Sequence, residues 1–193
     1  MARWVAAVDL SWRMVHEART RAQTLGLDNT AYCQADAEAL PFGQATCDLV
    51  ACKLAFHYFP HPQVALAEMG RVATSTARVV LIDRVSSEDS EQRAYQNRLE
   101  KLRTPSKTYV YSESQLVAAL AQAGLAVDQQ ARYPESMEVK AWIQAAGPDA
   151  QTAHTIRTLL MAAGDPAGFN IRREGDRLLM THQTCVLVAR RRS

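Results

Sequence analysis

Residues 31–59 read AYCQADAEALPFGQATCDLVACKLAFHYF. Thr30 to Gln34 mix small and β-favouring side chains and predict a short strand, closed by the acidic turn Ala35 to Ala39. Leu40-Pro41-Phe42 stops the chain, Gly43 to Thr46 form a polar loop, and Cys47 to Leu54 predict a second strand that is apolar on both faces. Such a strand belongs in the middle of a parallel sheet covered by helices on each side. An acid after one strand, with the aromatic-histidine segment Phe56-His57-Tyr58-Phe59 after the next, is how an open α/β sheet builds a ligand crevice.

Working outward, Arg3 to Asp9 predicts another strand ending in an acid. Ser11 then caps a helix over Trp12–Leu25, in which Met14, Val15, Ala18, Ala22 and Leu25 recur at helical spacing until Gly26 stops it. On the other side, Pro60 and Pro62 precede a helix from about Gln63 to Val72, and Arg78 to Asp83 predicts a buried strand that again ends in an acid. A helix over Arg93–Leu102 breaks at Thr104–Lys107. Ser112, with Gln115 as its capping-box partner, opens a helix reaching Ala123. A strand over Leu125–Tyr133, helices over Met137–Ala146 and Ala150–Ala163, and a closing antiparallel strand over Arg177–Ala189 complete the pattern. The alternation argues an α/β fold with a mainly parallel sheet.

The 193 residues suit a single domain, and the net charge of +2 provides no general attraction to nucleic acid or membrane. No apolar run approaches the roughly 20 residues that cross a bilayer. Arg190-Arg191-Arg192 reads as a solvated tail. The four cysteines, Cys33, Cys47, Cys52 and Cys185, include no C-x-x-C pair. They are expected as free thiols in a cytoplasmic protein rather than as a metal site.

Val8-Asp9-Leu10-Ser11, Asp36-Ala37-Glu38-Ala39-Leu40-Pro41-Phe42, Cys47-Asp48-Leu49-Val50 and Glu68-Met69-Gly70-Arg71-Val72 resemble, in that order, the class I S-adenosylmethionine-dependent methyltransferases. The subgroup is the one that includes ubiquinone and menaquinone biosynthesis enzymes. The resemblance runs from about Val5 to the C-terminus. It implies a Rossmann-like sheet in one domain, with residues 1–90 on the cofactor side and 91–193 on the substrate side. It also implies that Asp9 accepts from the cofactor's ribose hydroxyls, since a carboxylate is an acceptor-only group. Leu10 and Ser11 would adjoin the adenosine, Asp36 and the Ala37 N–H would face the adenine, and Lys53 would flank the methionine moiety. His57 and Tyr58 are the candidate catalytic groups, beside an acceptor that is a small molecule.

The sequence departs from the family in three places. No G-x-G-x-G loop occurs, and Met1-Ala2-Arg3-Trp4 leads straight into what would be the family's second strand, so the chain reads as N-terminally truncated. The family's first strand would lie between Arg3–Asp9 and Cys47–Leu54, so two free sheet edges and a homo-oligomer, joined at an edge or through the C-terminal helices, are expected. Ala73–Ala77 replaces a Pro-Gly-Gly turn, and Lys107 stands where a His is frequent. Two expectations follow: methyl transfer to a small molecule, impaired or dependent on a partner, or a non-catalytic binding or assembly protein of methyltransferase-like build.

Overall fold

The computed structural model describes residues 2–162 and 164–192. Its first unit is β1 (Val5–Asp9), α1 (Trp12–Thr24) and β2 (Thr30–Gln34), in which β1 and β2 pair in parallel, Val5 opposite Thr30 and Asp9 opposite Gln34. Ser11 caps α1 by accepting the Met14 N–H, and Gly26 takes the left-handed backbone (φ 66°) that ends it.

The second unit holds β3 (Cys47–Lys53), a 3-10 turn (Phe56–Tyr58), α2 (Pro62–Val72), β4 (Ala73–Val85), α3 (Ser90–Arg103), α4 (Glu113–Gln122) and β5 (Leu125–Glu138). It continues through α5 (Val139–Gln144), α6 (Ala150–Leu160), β6 (Arg172–Glu174) and β7 (Arg177–Arg191). The expected end of the sixth helix, Ala163, lies outside the described residues. The strand order is β3-β4-β7-β5, with β6 forming a hairpin on β7; β3 and β4 are parallel, and β7 runs antiparallel to both β4 and β5. The mainly parallel sheet with an antiparallel final strand is as expected.

Two cores flank this sheet. Phe56, Leu66, Met69, Leu81, Leu116, Leu120 and Leu187 pack α2 and α4 against one face. Leu99, Trp142, Ile156, Leu160, Phe169 and Met180 form the second, where α3, α5 and α6 meet β7. Each fully buried large side chain is worth about 1.5–3 kcal/mol, so most of the stability sits in these two clusters.

Among the described residues no strand lies between β1 and β3. A break in hydrogen bonding, a slot, divides β1 and β2 from β3, and the exposure of β3 corrects the expectation that Cys47–Leu54 is covered on both faces. Cys52 is buried, but Leu49 is 60% exposed and Ala51 and Lys53 are open. The sequence pattern is that of a central strand, yet β3 stands at an edge. A second correction concerns the basic tail: Arg190 and Arg191 belong to β7, opposite Ala126 and Leu125, and Arg190 faces Asp128 at 3.7 Å. The stretch Ala73–Ala77 is the first part of β4, which follows α2 without a turn.

The two units are tied by the segment between β2 and β3. Arg71 on α2 donates to the Phe42 and Leu40 carbonyls (2.8 and 3.0 Å) and to the Glu68 carboxylate (2.6 Å), and Glu68 accepts the Leu40 N–H (2.8 Å). The Leu-Pro-Phe and Glu-Met-Gly-Arg motifs are therefore two halves of one clamp.

Candidate active site

Asp9 ends β1 in the open, where its Oδ1 accepts the Ser11 N–H (2.8 Å) and its second oxygen has no partner. Asp36, after β2, accepts the Glu38 N–H in the same way (2.9 Å). Leu10 is 68% exposed beside Asp9. The carboxylate of Glu38 reaches across to the start of α2, accepting the His61 N–H (2.7 Å) and facing His61 Nδ1 (2.8 Å). This bridge places the carboxyl ends of β1 and β2 on the same rim as the segment after β3. Of the expected cofactor residues, Asp9, Leu10, Ser11, Asp36 and Ala37 cluster at the ends of β1 and β2, while Lys53 stands exposed at the end of β3, across the slot.

On the far side of the slot the rim is built differently. Leu54 turns the chain with φ 53°, a left-handed conformation that strains a branched side chain by about 1–2 kcal/mol, and its N–H is held by the Ile82 carbonyl (2.8 Å). The 3-10 turn then buries His57, which is 5% exposed. Its Nδ1 lies 2.6 Å from Asp83 Oδ1, and its N–H donates to Asp83 Oδ2 (3.2 Å). Asp83, two residues before the end of β4, is fully enclosed and also accepts the Arg84 N–H (2.7 Å). With Asp83 ionised, Nδ1 carries the proton and Nε2 holds the lone pair. The His57 carbonyl accepts from the Thr108 N–H and hydroxyl, each at 2.9 Å, which locks the turn from a third segment.

Asp83 reads from sequence as a loop cap. The structure makes it the partner of His57, and the signal available was an acid closing the apolar run VVLI at the same rim. Tyr58 lies tilted against His57 with ring centroids 4.4 Å apart, and burial, opposed by Arg103 and Arg84 and aided by Glu100 and Asp83, pushes its phenol above the ordinary range. At neutral pH it is a donor, not a base.

Beyond Tyr58 lies a polar cluster with no warning in the sequence. Lys107 Nζ donates to Glu100 Oε2 at 2.8 Å with both side chains buried, and Arg103 Nη2 approaches the same oxygen at 3.4 Å. Burial alone would raise the Glu100 carboxyl, but Lys107 and Arg103 outweigh it and hold the carboxyl below the usual range. Burial pushes the Lys107 ammonium down, and Glu100 only partly restores it. The Arg103 guanidinium lies over the Trp142 ring (4.6 Å), and Trp142 in turn is 5.7 Å from the His182 ring. Two open clefts of about 390 Å³ each lie elsewhere, one between α5 and α6 around Ile143 and His154, the other at Arg19 and Tyr32. Neither includes any rim residue, so the candidate site is the rim of the slot itself.

The donor set suits an adenosine: two exposed carboxylates with spare acceptor oxygens stand beside an exposed leucine, which matches a diol, an amino group and a flat ring. No group of three or more metal-ligating side chains comes together among the described residues. No helix there is long and apolar enough to cross a membrane.

Residues 2–81 match the methyltransferase domain family. The uncharacterized methyltransferase YcgJ of Bacillus subtilis is 31% identical over 160 residues, which is 83% of this chain and 63% of that protein. The ubiquinone/menaquinone biosynthesis C-methyltransferase UbiE of Blochmanniella pennsylvanica is 35% identical over 80 residues, 41% of this chain and 32% of its own length. The chain thus spans less than two thirds of these relatives. The crystal structure of YcgJ superposes with a TM-score of 0.91 at 28% identity, covering 99% of this chain and 83% of that one. A structure described as an S-adenosylmethionine-dependent methyltransferase from Aquifex aeolicus shares the fold at TM-score 0.55 and 19% identity, over 96% of this chain and 68% of its own. Residues 2–81 thus carry a methyltransferase domain, and the chain as a whole shares the fold of the S-adenosylmethionine-dependent methyltransferases.

Proposed function

We propose that the chain supports methyl transfer from S-adenosylmethionine to a small-molecule acceptor, with His57 as the general base. The observation that carries this reading is the enclosed His57–Asp83 pair at 2.6 Å, set at the strand rim that also bears Asp9 and Asp36. Asp9 and Asp36 bind the adenosine, Leu10, Ser11 and Ala37 border it, and Lys53 stands toward the methionine end. Bound there, the cofactor supplies an electrophilic methyl group on a sulfonium. His57 Nε2 takes the acceptor's proton, and Asp83 fixes the tautomer and stabilises the imidazolium, as in other base–orienter pairs. Tyr58 supplies a hydrogen bond to the acceptor rather than a second base. Much of the remaining acceleration comes from holding the two reactants in line.

The slot between β1 and β3 supports a further element of the reading: the cofactor cradle is complete only when an added strand fills it. Such a strand joins the two units, and one source of it is a partner or a second copy pairing at the free edges. This is also the observation favouring the alternative, an assembly protein of methyltransferase build that binds through those edges without turning over.

Calorimetric titration with S-adenosylhomocysteine separates the two. Micromolar binding is expected of the enzyme; none up to millimolar concentration sinks the self-sufficient enzyme and leaves the assembly reading. In an active preparation, His57→Gln is expected to lower kcat about 100-fold or more while leaving S-adenosylhomocysteine binding intact. An unchanged kcat removes His57 from the chemistry.

A further inference from the structure

Arg84, the residue after Asp83, points to the opposite face of β4 from the His57 partner, since side chains alternate along a strand. On that face β-register sets it beside Thr184, with His182 two residues before Thr184 on the same strand and Glu135 opposite His182. The guanidinium is held loosely. Among the described residues its one ion pair is to Glu135 at 3.9 Å, a separation too long for a hydrogen bond, and Glu135 is already engaged by the Thr184 hydroxyl at 3.1 Å. A guanidinium offers five donors in a planar fork, so nearly all of its bonding capacity is unused here.

The surroundings add to the imbalance. Arg84 acts electrostatically on Tyr58, Lys107 and His182, which places it between the histidine turn and the buried polar cluster. Three cations, Arg84, Arg103 and Lys107, meet two carboxylates, Glu100 and Glu135, because Asp83 is committed to His57 on the other face. His182 does not add a cation; burial, and then Arg84, keep its imidazole neutral. Buried polar groups are normally paired, yet His182 Nε2, Trp142 Nε1 and Arg103 Nε are enclosed without a partner, in residues 4%, 3% and part exposed respectively. Unused donors around a net positive charge that Tyr58 also feels describe a half-made site for an anion.

We infer that Arg84, backed by Lys107 and His182, is the acceptor-recognition subsite for a carboxylate-bearing small molecule. This deepens the proposed function: it rests on the rim being a methyl-transfer site for the word acceptor, but not for the anion binding itself. A planar carboxylate matches the guanidinium fork bidentately, which a neutral amide of equal shape cannot do with the same charge-assisted strength. Fixing the acceptor by its carboxylate holds the rest of the molecule against Tyr58 and His57, where its nucleophilic atom meets Nε2.

The test uses the full chain with benzoate and its neutral isostere benzamide as probes, read by tryptophan fluorescence, for which Trp142 is the buried reporter and Trp4 and Trp12 are exposed. A saturable benzoate response is expected, at least tenfold tighter than benzamide, weakened roughly tenfold or more in Arg84→Gln and partly restored in Arg84→Lys. Arg84 is partly exposed and makes no close ion pair, so both variants are expected to fold, and a thermal melt of each checks this. No benzoate response, an equal response to benzamide, or unaltered benzoate affinity in a folded Arg84→Gln overturns the inference. Failure of the methyl-transfer reading shows separately, as absent S-adenosylhomocysteine binding in wild-type protein that still distinguishes benzoate from benzamide.

Discussion

His182 lies between the Phe169 and Trp142 rings, at 4.8 and 5.7 Å, whereas His57 lies against a carboxylate. Two histidines of equal burial are thus set to different tasks. Burial first, and then Arg84, push the His182 imidazole from 6.5 down to about 3, against a smaller upward pull from Glu100 and with Lys107 and Arg103 adding to the depression. In this window the unfolded chain binds the extra proton, so the effect is absent above pH 6.5 and grows as pH falls toward 3. At pH 5 it destabilises the fold by on the order of 2 kcal/mol. Glu100, held below 4.5, keeps its own contribution until lower pH and leaves this window clear. Thermal melts between pH 7 and 5 are expected to fall more steeply for wild type than for His182→Gln, and parallel curves would remove His182 as the source. The sequence shows His57 to be of interest because it sits among aromatics after an apolar strand. It does not show His182, because LLMTHQTCVLV reads only as a strand, and what makes the residue unusual comes from α3 and α5. The thiols were legible by composition alone: Cys52 and Cys185 are buried, and burial raises them to about 12 and about 11, so they are unreactive at neutral pH.

At the scale of elements, caps and stops read well because their causes are local. The Ser112–Gln115 capping box and the Ser11 cap form as their spacing implies. Long strands read less well. β5 continues through Gln129–Glu138, a polar run containing Pro134, because it is an edge strand that pairs only with β7 and leaves one side to solvent. Periodicity sees burial, not pairing, so such a strand is cut short at Tyr133. The clamp of Arg71 on Leu40, Phe42 and Glu68 was visible as two motifs but not as one device, since 28 residues separate Leu40 from Glu68. Arg71→Ala is expected to free the β1-α1-β2 unit: hydrogen-exchange protection of its amides should drop roughly tenfold while that of β4 and β7 stays unchanged. A uniform loss across both units would mean that the clamp serves global stability instead.

For the whole molecule, the α/β class and the order of elements followed from the alternation of strands and helices. The slot followed only from resemblance, because no residue pattern announces a missing neighbour; Cys47–Leu54 carries the apolar signature of an enclosed strand even where it stands open. If the slot is open in the isolated chain and joins copies, Leu49→Lys should change folding stability by no more than about 0.5 kcal/mol. The same substitution should shift light scattering at micromolar concentration from oligomer to monomer. A large loss of stability would mean that Leu49 is enclosed in solution, and a monomeric wild type would remove the pairing of copies.

β7 has a different consequence, one that concerns how the chain is made. It lies between β4 and β5, pairing with both, and it is synthesised after both of them. Until Arg177–Arg191 emerges, β4 and β5 have no common partner, and Cys185, Leu187 and Ala189 are missing from the core they share with Val79, Leu81 and Leu125. Nascent chains arrested before Arg177 should therefore remain sensitive to protease and bound to holding chaperones, while chains in which Arg177–Arg191 has emerged resist; equal resistance would show that the sheet closes without its keystone. The time of greatest risk for this protein is the interval between the synthesis of β5 and that of β7.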